Sequence, residues 1–225
     1  MTSGSSCTRP SFLSVVRDWV RGKLGLDRAI GFTILARGWS SAAGLVTVLL
    51  IARFLTPAEQ GYYYTFSSLV ALQIVFELGF SFVILQMACH ERAHLAISPT
   101  QEITGSGVAH RRLASVLQKS VRWYSATSVF LVLFLLASGI YFFSTHQQGA
   151  ESVAWRIPWY TDAIAASITF QLDPILSFLE GCGYVANVAR LRFVQAAVGS
   201  VLAWLALATH HGLFAPSMMI IGNAI

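Results

Sequence analysis

The chain has 225 residues, of which 11% are charged and 55% belong to the set A, V, I, L, M, F, W, Y and C; its mean hydropathy is +0.62. A soluble globular domain carries about 25% charged residues, so this composition excludes a water-solvated globule and makes a bilayer the natural solvent. The net charge of +5 does not require nucleic acid, because the placement of the basic residues accounts for it.

Residues 1–28 form a polar, basic tail without the compact apolar core of a cleavable signal peptide. Within it, Arg17 and the run from Trp19 to Leu26 fit either a short amphipathic helix on the membrane surface or a plain basic tail. From residue 29 onward, apolar runs approach or reach the roughly 20 residues that carry an α-helix across hydrocarbon. They lie at 34–54, 64–88, 124–143, 159–179, 193–208 and 213–225, the last one stopping in mid-run. Backbone groups cannot hydrogen-bond to lipid, so helices are expected, and the short alternating segments of a β-barrel are missing from the sequence. The predicted fold is all-α: a polytopic membrane protein of about six transmembrane helices, with 29–225 as one helical lobe.

The first two runs are separated by LLIARFLTPAEQGYYYTFSSL. Pro57 is expected to stop the first helix, Gly61 to permit a tight turn, and Tyr62, Tyr63 and Tyr64 to occupy the headgroup layer. Alternating spans place 13 of the 15 basic residues on one side, and only Arg53 and Arg156 on the other. By the positive-inside rule that side, with the N-terminus, is cytoplasmic. Cys7, Cys89 and Cys182 all fall there, an odd and scattered set on the reducing side that predicts no disulfide. The 89–122 connection is the one sizeable loop, expected to be partly helical along the membrane surface.

His90-Glu91-Arg92-Ala93-His94 satisfies H-E-x-x-H, which on a helix presents two zinc-binding histidines and a glutamate base. A catalytic zinc needs a third protein ligand. The only inviting carboxylate, Asp173, falls near the middle of the fourth span, at the wrong depth, so a solvated helix end is the favoured reading. No phosphate loop, serine elbow or spaced cysteine pattern occurs, and neither cofactor nor enzymatic activity is expected.

Polar groups inside the spans are more informative, since each is costly in lipid and usually faces a partner or cavity. Thr33, Arg37, Ser40, Ser41, Gly44 and Thr47 share a face of the first span; Gln73, Glu77 and Ser81 share one of the second. Asp162, Thr169, Asp173, Ser177 and Glu180 recur at helical spacing on the fourth, with Pro174 weakening the helix beside Asp173. Three such faces predict a water-accessible interior. For Thr, Ser and Gly the competing reading is close helix packing; for Glu77 and Asp173 it is a buried structural pair.

Arg37-Gly38, the hairpin motif Ala52-Arg53, Leu55, Pro57, Glu59 and Gly61-Tyr62, and then FELGF resemble the first hairpin of polysaccharide and O-antigen flippases. These are the lipid-linked oligosaccharide branch of the multidrug/oligosaccharidyl-lipid/polysaccharide exporter superfamily. Thr56 stands where glycine is common in that pattern and Gln60 where an aromatic is common; later spans match in hydropathy and spacing. The resemblance implies an alternating-access transporter of two six-helix lobes in a bacterial inner membrane. Its implied cargo is an undecaprenyl-pyrophosphate-linked glycan. Arg37, matching the family's arginine, and Arg53, matching the hairpin motif, are then candidates for the pyrophosphate. Glu77, Asp173 and Asp162 are candidates for ion coupling or for lining the cavity. Such transporters have twelve or more spans, so this chain corresponds to one lobe, whose partner is a missing C-terminal lobe or a second copy. The rival readings are a cation-coupled multidrug exporter of the same superfamily and a membrane zinc metalloprotease using His90, Glu91 and His94.

Overall fold

The computed structural model describes residues 12–93, 95–97, 103–105, 107–146 and 153–224. The first helix, α1, runs unbroken over Phe12–Phe54. No proline interrupts those 43 residues, so the expected boundary at residue 28 is absent and the described part of the tail continues the first span as helix.

The hairpin after α1 is tighter than its composition suggests. Thr56 caps α2 (Pro57–Ala71): its Oγ1 accepts from Glu59 N at 3.3 Å, and its own N–H donates to Glu59 Oε2 at 2.9 Å. This reciprocal box satisfies two amides that a helix start leaves open. Pro57 occupies the first turn, where its missing N–H costs nothing. Pro57 therefore starts the second helix, and Gly61 lies inside α2 rather than at the turn. The tyrosines divide too. Only Tyr64 is exposed; Tyr63 is buried, and Tyr62 stacks on Phe143 with ring centres 5.3 Å apart.

The second span is broken. After α2 come α3 (Gln73–Glu77) and α4 (Phe80–Ala93), the two parts meeting at an angle of 42°. Leu78 (φ 48°) and Gly79 (φ 74°) both adopt the left-handed conformation between them. Such a residue closes a helix, and glycine enters that region at little cost. Strands β1 (Leu95–Ile97) and β2 (Ile103–Gly105) form a short antiparallel ladder. Then α5 (Gly107–His146) rises as one helix of 40 residues. Residues 107–122 of the predicted surface loop thus belong to the same helix as the third span. The chain continues through α6 (Arg156–Gly181), α7 (Val185–Ala208), a single 3-10 turn at Gly212–Phe214 and α8 (Ala215–Ala224).

Helix α6 is central, packed against α4, α5 and α8, while α7 lies between α1 and α8. The core joins Phe66 of α2, Phe143 of α5 and Trp159 of α6, with centroid separations of 5.2 to 5.7 Å. Such aromatic pairs add directional contact to burial. Large apolar side chains including Ile34, Leu45, Leu49, Phe130 and Leu133 point outward, as expected where the solvent is hydrocarbon.

Among the described residues, three helices are long and apolar enough to cross a membrane: Ala29–Phe54, Arg111–Thr145 and Val185–Ala208. The bent pair from Pro57 to Ala93 raises the number of candidates to four if it is counted as one span. Helix α8 has only 10 residues. Helix α6 is long enough but diluted by Thr161, Asp162, Ser167, Thr169, Gln171, Asp173 and Ser177. Its packing accounts for that composition: α6 contacts α4, α5 and α8 on one side and keeps an apolar stripe with Ile157, Ile164, Ile168 and Ile175 on its exposed side.

Candidate functional site

The break in the second span places Glu77 at the end of α3, one residue before the left-handed Leu78. On α6, Asp173 stands in the electrostatic field of Glu77 and of Arg192 from α7. Ser81, just past the break, lies 3.1 Å from the Tyr124 hydroxyl of α5, and both carboxylates act on that hydroxyl. Pro174 follows Asp173 without ending the helix, but its missing N–H leaves the Phe170 carbonyl without its usual intrahelical donor. Gln171 donates to Ser128 Oγ at 2.7 Å nearby. Arg192 also reaches Glu180, Nη2 to Oε2, at 3.6 Å. Helices α4 and α6 pack against each other and both reach α5, and Glu77 lies near enough for its charge to act on Asp173. Gln73 contributes an Oε1 that is buried without a partner among the described residues.

Asp162 occupies a separate position 11 residues toward the start of α6, about 16 Å along the axis. It is 0% exposed, and neither carboxylate oxygen has a hydrogen-bond partner among the described residues. The Ser217 hydroxyl of α8 lies beside it but donates to the Pro158 carbonyl at 3.3 Å and stands 3.1 Å from Thr161 Oγ1. Buried Tyr63 of α2 lies within reach of the charge of the same carboxylate. A buried carboxylate with open lone pairs is expensive unless a proton or cation joins it. Asp162 can hold either.

The polar face of the first span does not join these groups. Thr33, Arg37, Ser40, Ser41 and Gly44 are exposed on the open side of α1. The Thr33, Ser40 and Ser41 hydroxyls donate to carbonyls of their own helix, one turn back. Helix α1 docks on α7 through Trp39, which donates to Ser200 Oγ at 3.0 Å, and through Thr47 of the predicted polar face, which accepts from Trp204 Nε1 at 2.9 Å. Of the predicted face of the first span, only Thr47 reaches another helix, while Thr33, Arg37, Ser40, Ser41 and Gly44 stay apart from Glu77 and Asp173. Arg53 is exposed in the last turn of α1.

His90 and Glu91 lie in the last turns of α4; His94 is outside the described residues. Among the described residues no three His, Cys, Asp or Glu side chains group as metal ligands. Arg92 is half-buried, its guanidinium lying against Gly183 at the α6–α7 turn. Cys89 and Cys182 are free thiols.

No family model, curated protein or solved structure matches the chain.

Sequence reasoning missed Tyr124, Tyr63 and Ser217 as members of these sites. Tyr124 was visible only as the edge of an apolar run, Tyr63 as one of three interfacial rings, and Ser217 as a small residue in a short apolar segment. Each acquires its role from a helix distant in sequence. Arg192 carried a sequence signal, a basic residue close to a span, and was read only as a topological charge.

Proposed function

We propose that this chain is a lobe of a transporter that moves a lipid-linked oligosaccharide across a bacterial inner membrane, with its basic side in the cytoplasm. In this reading α6 and α8 count with the other helices as spans, and the open face of α1 is turned toward a second lobe or a second copy. The observation that carries the reading is the position of Arg37. It is exposed, yet it lies eight residues inside the apolar segment that begins at Ala29, about 12 Å along the axis. A guanidinium at that depth is costly against lipid tails and is expected to face water or an anionic ligand. A pyrophosphate linked to a lipid is such a ligand, and five donors in a fixed fork suit it. Arg53, in the last turn of the same helix, serves as an interfacial anchor.

The Glu77–Asp173 cluster and the isolated Asp162 supply two proton- or cation-binding positions for coupling. They also favour the second reading, a cation-coupled multidrug exporter, whose cargo would not need Arg37.

Surface glycan in a strain lacking its own flippase distinguishes the two. Complementation with the intact gene should restore glycan, and Arg37→Ala should abolish it at matched protein level. Arg37→Lys should restore it poorly, because an ammonium is a point charge without the fork. Full restoration by Arg37→Ala removes the pyrophosphate contact. Loss of drug resistance without loss of glycan favours the exporter.

A further inference from the structure

Helices α4 and α5 run antiparallel from the β1–β2 ladder, and between them lies a groove of about 430 Å³. Its composition is graded. Toward the ladder its lip carries Arg112 and Lys119 of α5, with Glu91 of α4 opposite. Deeper, its walls are Phe80, Val83 and Met87 of α4 and Trp123 of α5. Phe80 and Trp123 touch, with ring centres 5.5 Å apart, and Val83, Met87 and Trp123 are 46%, 50% and 52% exposed. The spacing makes this one continuous track: Arg112, Lys119 and Trp123 fall at intervals of seven and four residues, the repeat of a single helix face.

We propose that this groove binds an anionic phospholipid, with its phosphodiester at Arg112 and Lys119 and an acyl chain along Phe80, Val83, Met87 and Trp123. Two features select that occupant. The charged end of the groove coincides with the basic end of the helix bundle, where headgroups of the cytoplasmic leaflet lie in the topology proposed above. Its apolar end points into the hydrocarbon. Two cations and one carboxylate leave the lip at +1, which a single phosphodiester neutralises and a zwitterionic headgroup does not. Ser115 is not free to donate into the groove, since its hydroxyl bonds the Arg112 carbonyl at 2.7 Å; the guanidinium of Arg112 and the ammonium of Lys119 are the cationic donors at the lip. The inference rests on the membrane topology and is independent of any transport activity.

Native mass spectrometry of the intact chain in a neutral detergent tests it, with phosphatidylglycerol and phosphatidylcholine titrated as separate probes. The wild-type protein should retain one phosphatidylglycerol more tightly than phosphatidylcholine. Arg112→Gln with Lys119→Gln should weaken phosphatidylglycerol about thirtyfold and leave phosphatidylcholine unchanged. Glu91→Gln should tighten phosphatidylglycerol, and Val83→Trp, which fills the groove, should remove it. Arg111→Gln is the matched control, because Arg111 lies outside the groove and its Nε donates to Gly107 O at 3.1 Å. If the double variant fails to fold, exchanging the two cations (Arg112→Lys with Lys119→Arg) keeps the charge and should keep the lipid. Equal retention of both lipids by the wild type overturns the proposal, as does unchanged binding in a folded double variant. Displacement of phosphatidylglycerol at one-to-one stoichiometry by a polyprenyl diphosphate of higher affinity also overturns it and assigns the groove to that ligand.

Discussion

Gly199 of α7 and Gly222 of α8 meet backbone to backbone: a Cβ on Gly222 would stand on the Gly199 Cα, and one on Gly199 would stand 2.6 Å from the Met219 carbonyl oxygen. Small residues let helices approach this closely inside a membrane, where dispersion replaces the hydrophobic effect as the cohesive force. Through this contact α8 is held on α7, and α7 in turn carries α1. Gly222→Val or Gly199→Val should therefore cost about 1–3 kcal/mol by overpacking against unyielding backbone. Gly44→Ala, with nothing within 4 Å, should be neutral or raise stability by up to about 1 kcal/mol through helix propensity. Thermal unfolding in detergent compares the three. Equal midpoints would show that α7 and α8 do not pack through these glycines.

Glu77 and Asp173 place two carboxylates within each other's field beside a helix break. Like charges sharing a partly buried site oppose each other. Glu77→Gln should raise the thermal midpoint while reducing the transport proposed above, because it removes both the repulsion and one of the two carboxylate charges. Gly79→Ala should do the reverse to stability, costing about 1–2 kcal/mol at a φ of 74°. A Glu77→Gln protein that is less stable than wild type would mean that the charge is structurally required.

Asp162 is fully buried, with both oxygens unpartnered among the described residues. Removing an uncompensated buried charge commonly stabilises a fold, and functional sites commonly carry that strain. Asp162→Asn should increase the thermal midpoint and lower transport in the same preparation. Unchanged transport would make Asp162 a structural residue only.

Arrangement of the basic residues predicts which connections face the cell exterior. In a background with Cys7, Cys89 and Cys182 replaced, single cysteines at Gln60 and Gln148 should react with an impermeant thiol reagent in intact cells. A cysteine at Gln101 should react only after permeabilisation. Labelling of Gln101 in intact cells would invert the topology, and with it the leaflet assigned to the α4–α5 groove.

Much of the helical architecture was legible in the sequence because bilayer thickness imposes a length on every spanning segment. The first, third, fourth and fifth apolar runs fall within observed helices and the second within a broken one, while the sixth is divided between a 3-10 turn and the short α8. Asp162 and Asp173 stood out for the same reason: charge is rare in such a composition, so each instance is informative. What stayed hidden depended on local conformation or on distant partners. Leu78 gives no sign that it will turn left-handed, and FELGF reads equally well as continuous apolar helix. Pro57 and Gly61 are both turn residues by type, and only the Thr56–Glu59 hydrogen bonds show that the helix has begun before Gly61. Periodicity put Arg37, Glu77 and Asp173 each on a polar face of its own helix. It could not say which faces meet, because helix rotation is set by packing contacts such as Trp39 on Ser200 and Gly199 on Gly222. The sequence by itself determined the solvent, the helices and the scarce polar groups. The tertiary structure alone decided that Glu77 and Asp173 come within electrostatic reach while Arg37 looks outward, since three-dimensional packing of side chains fixes the rotation of each helix.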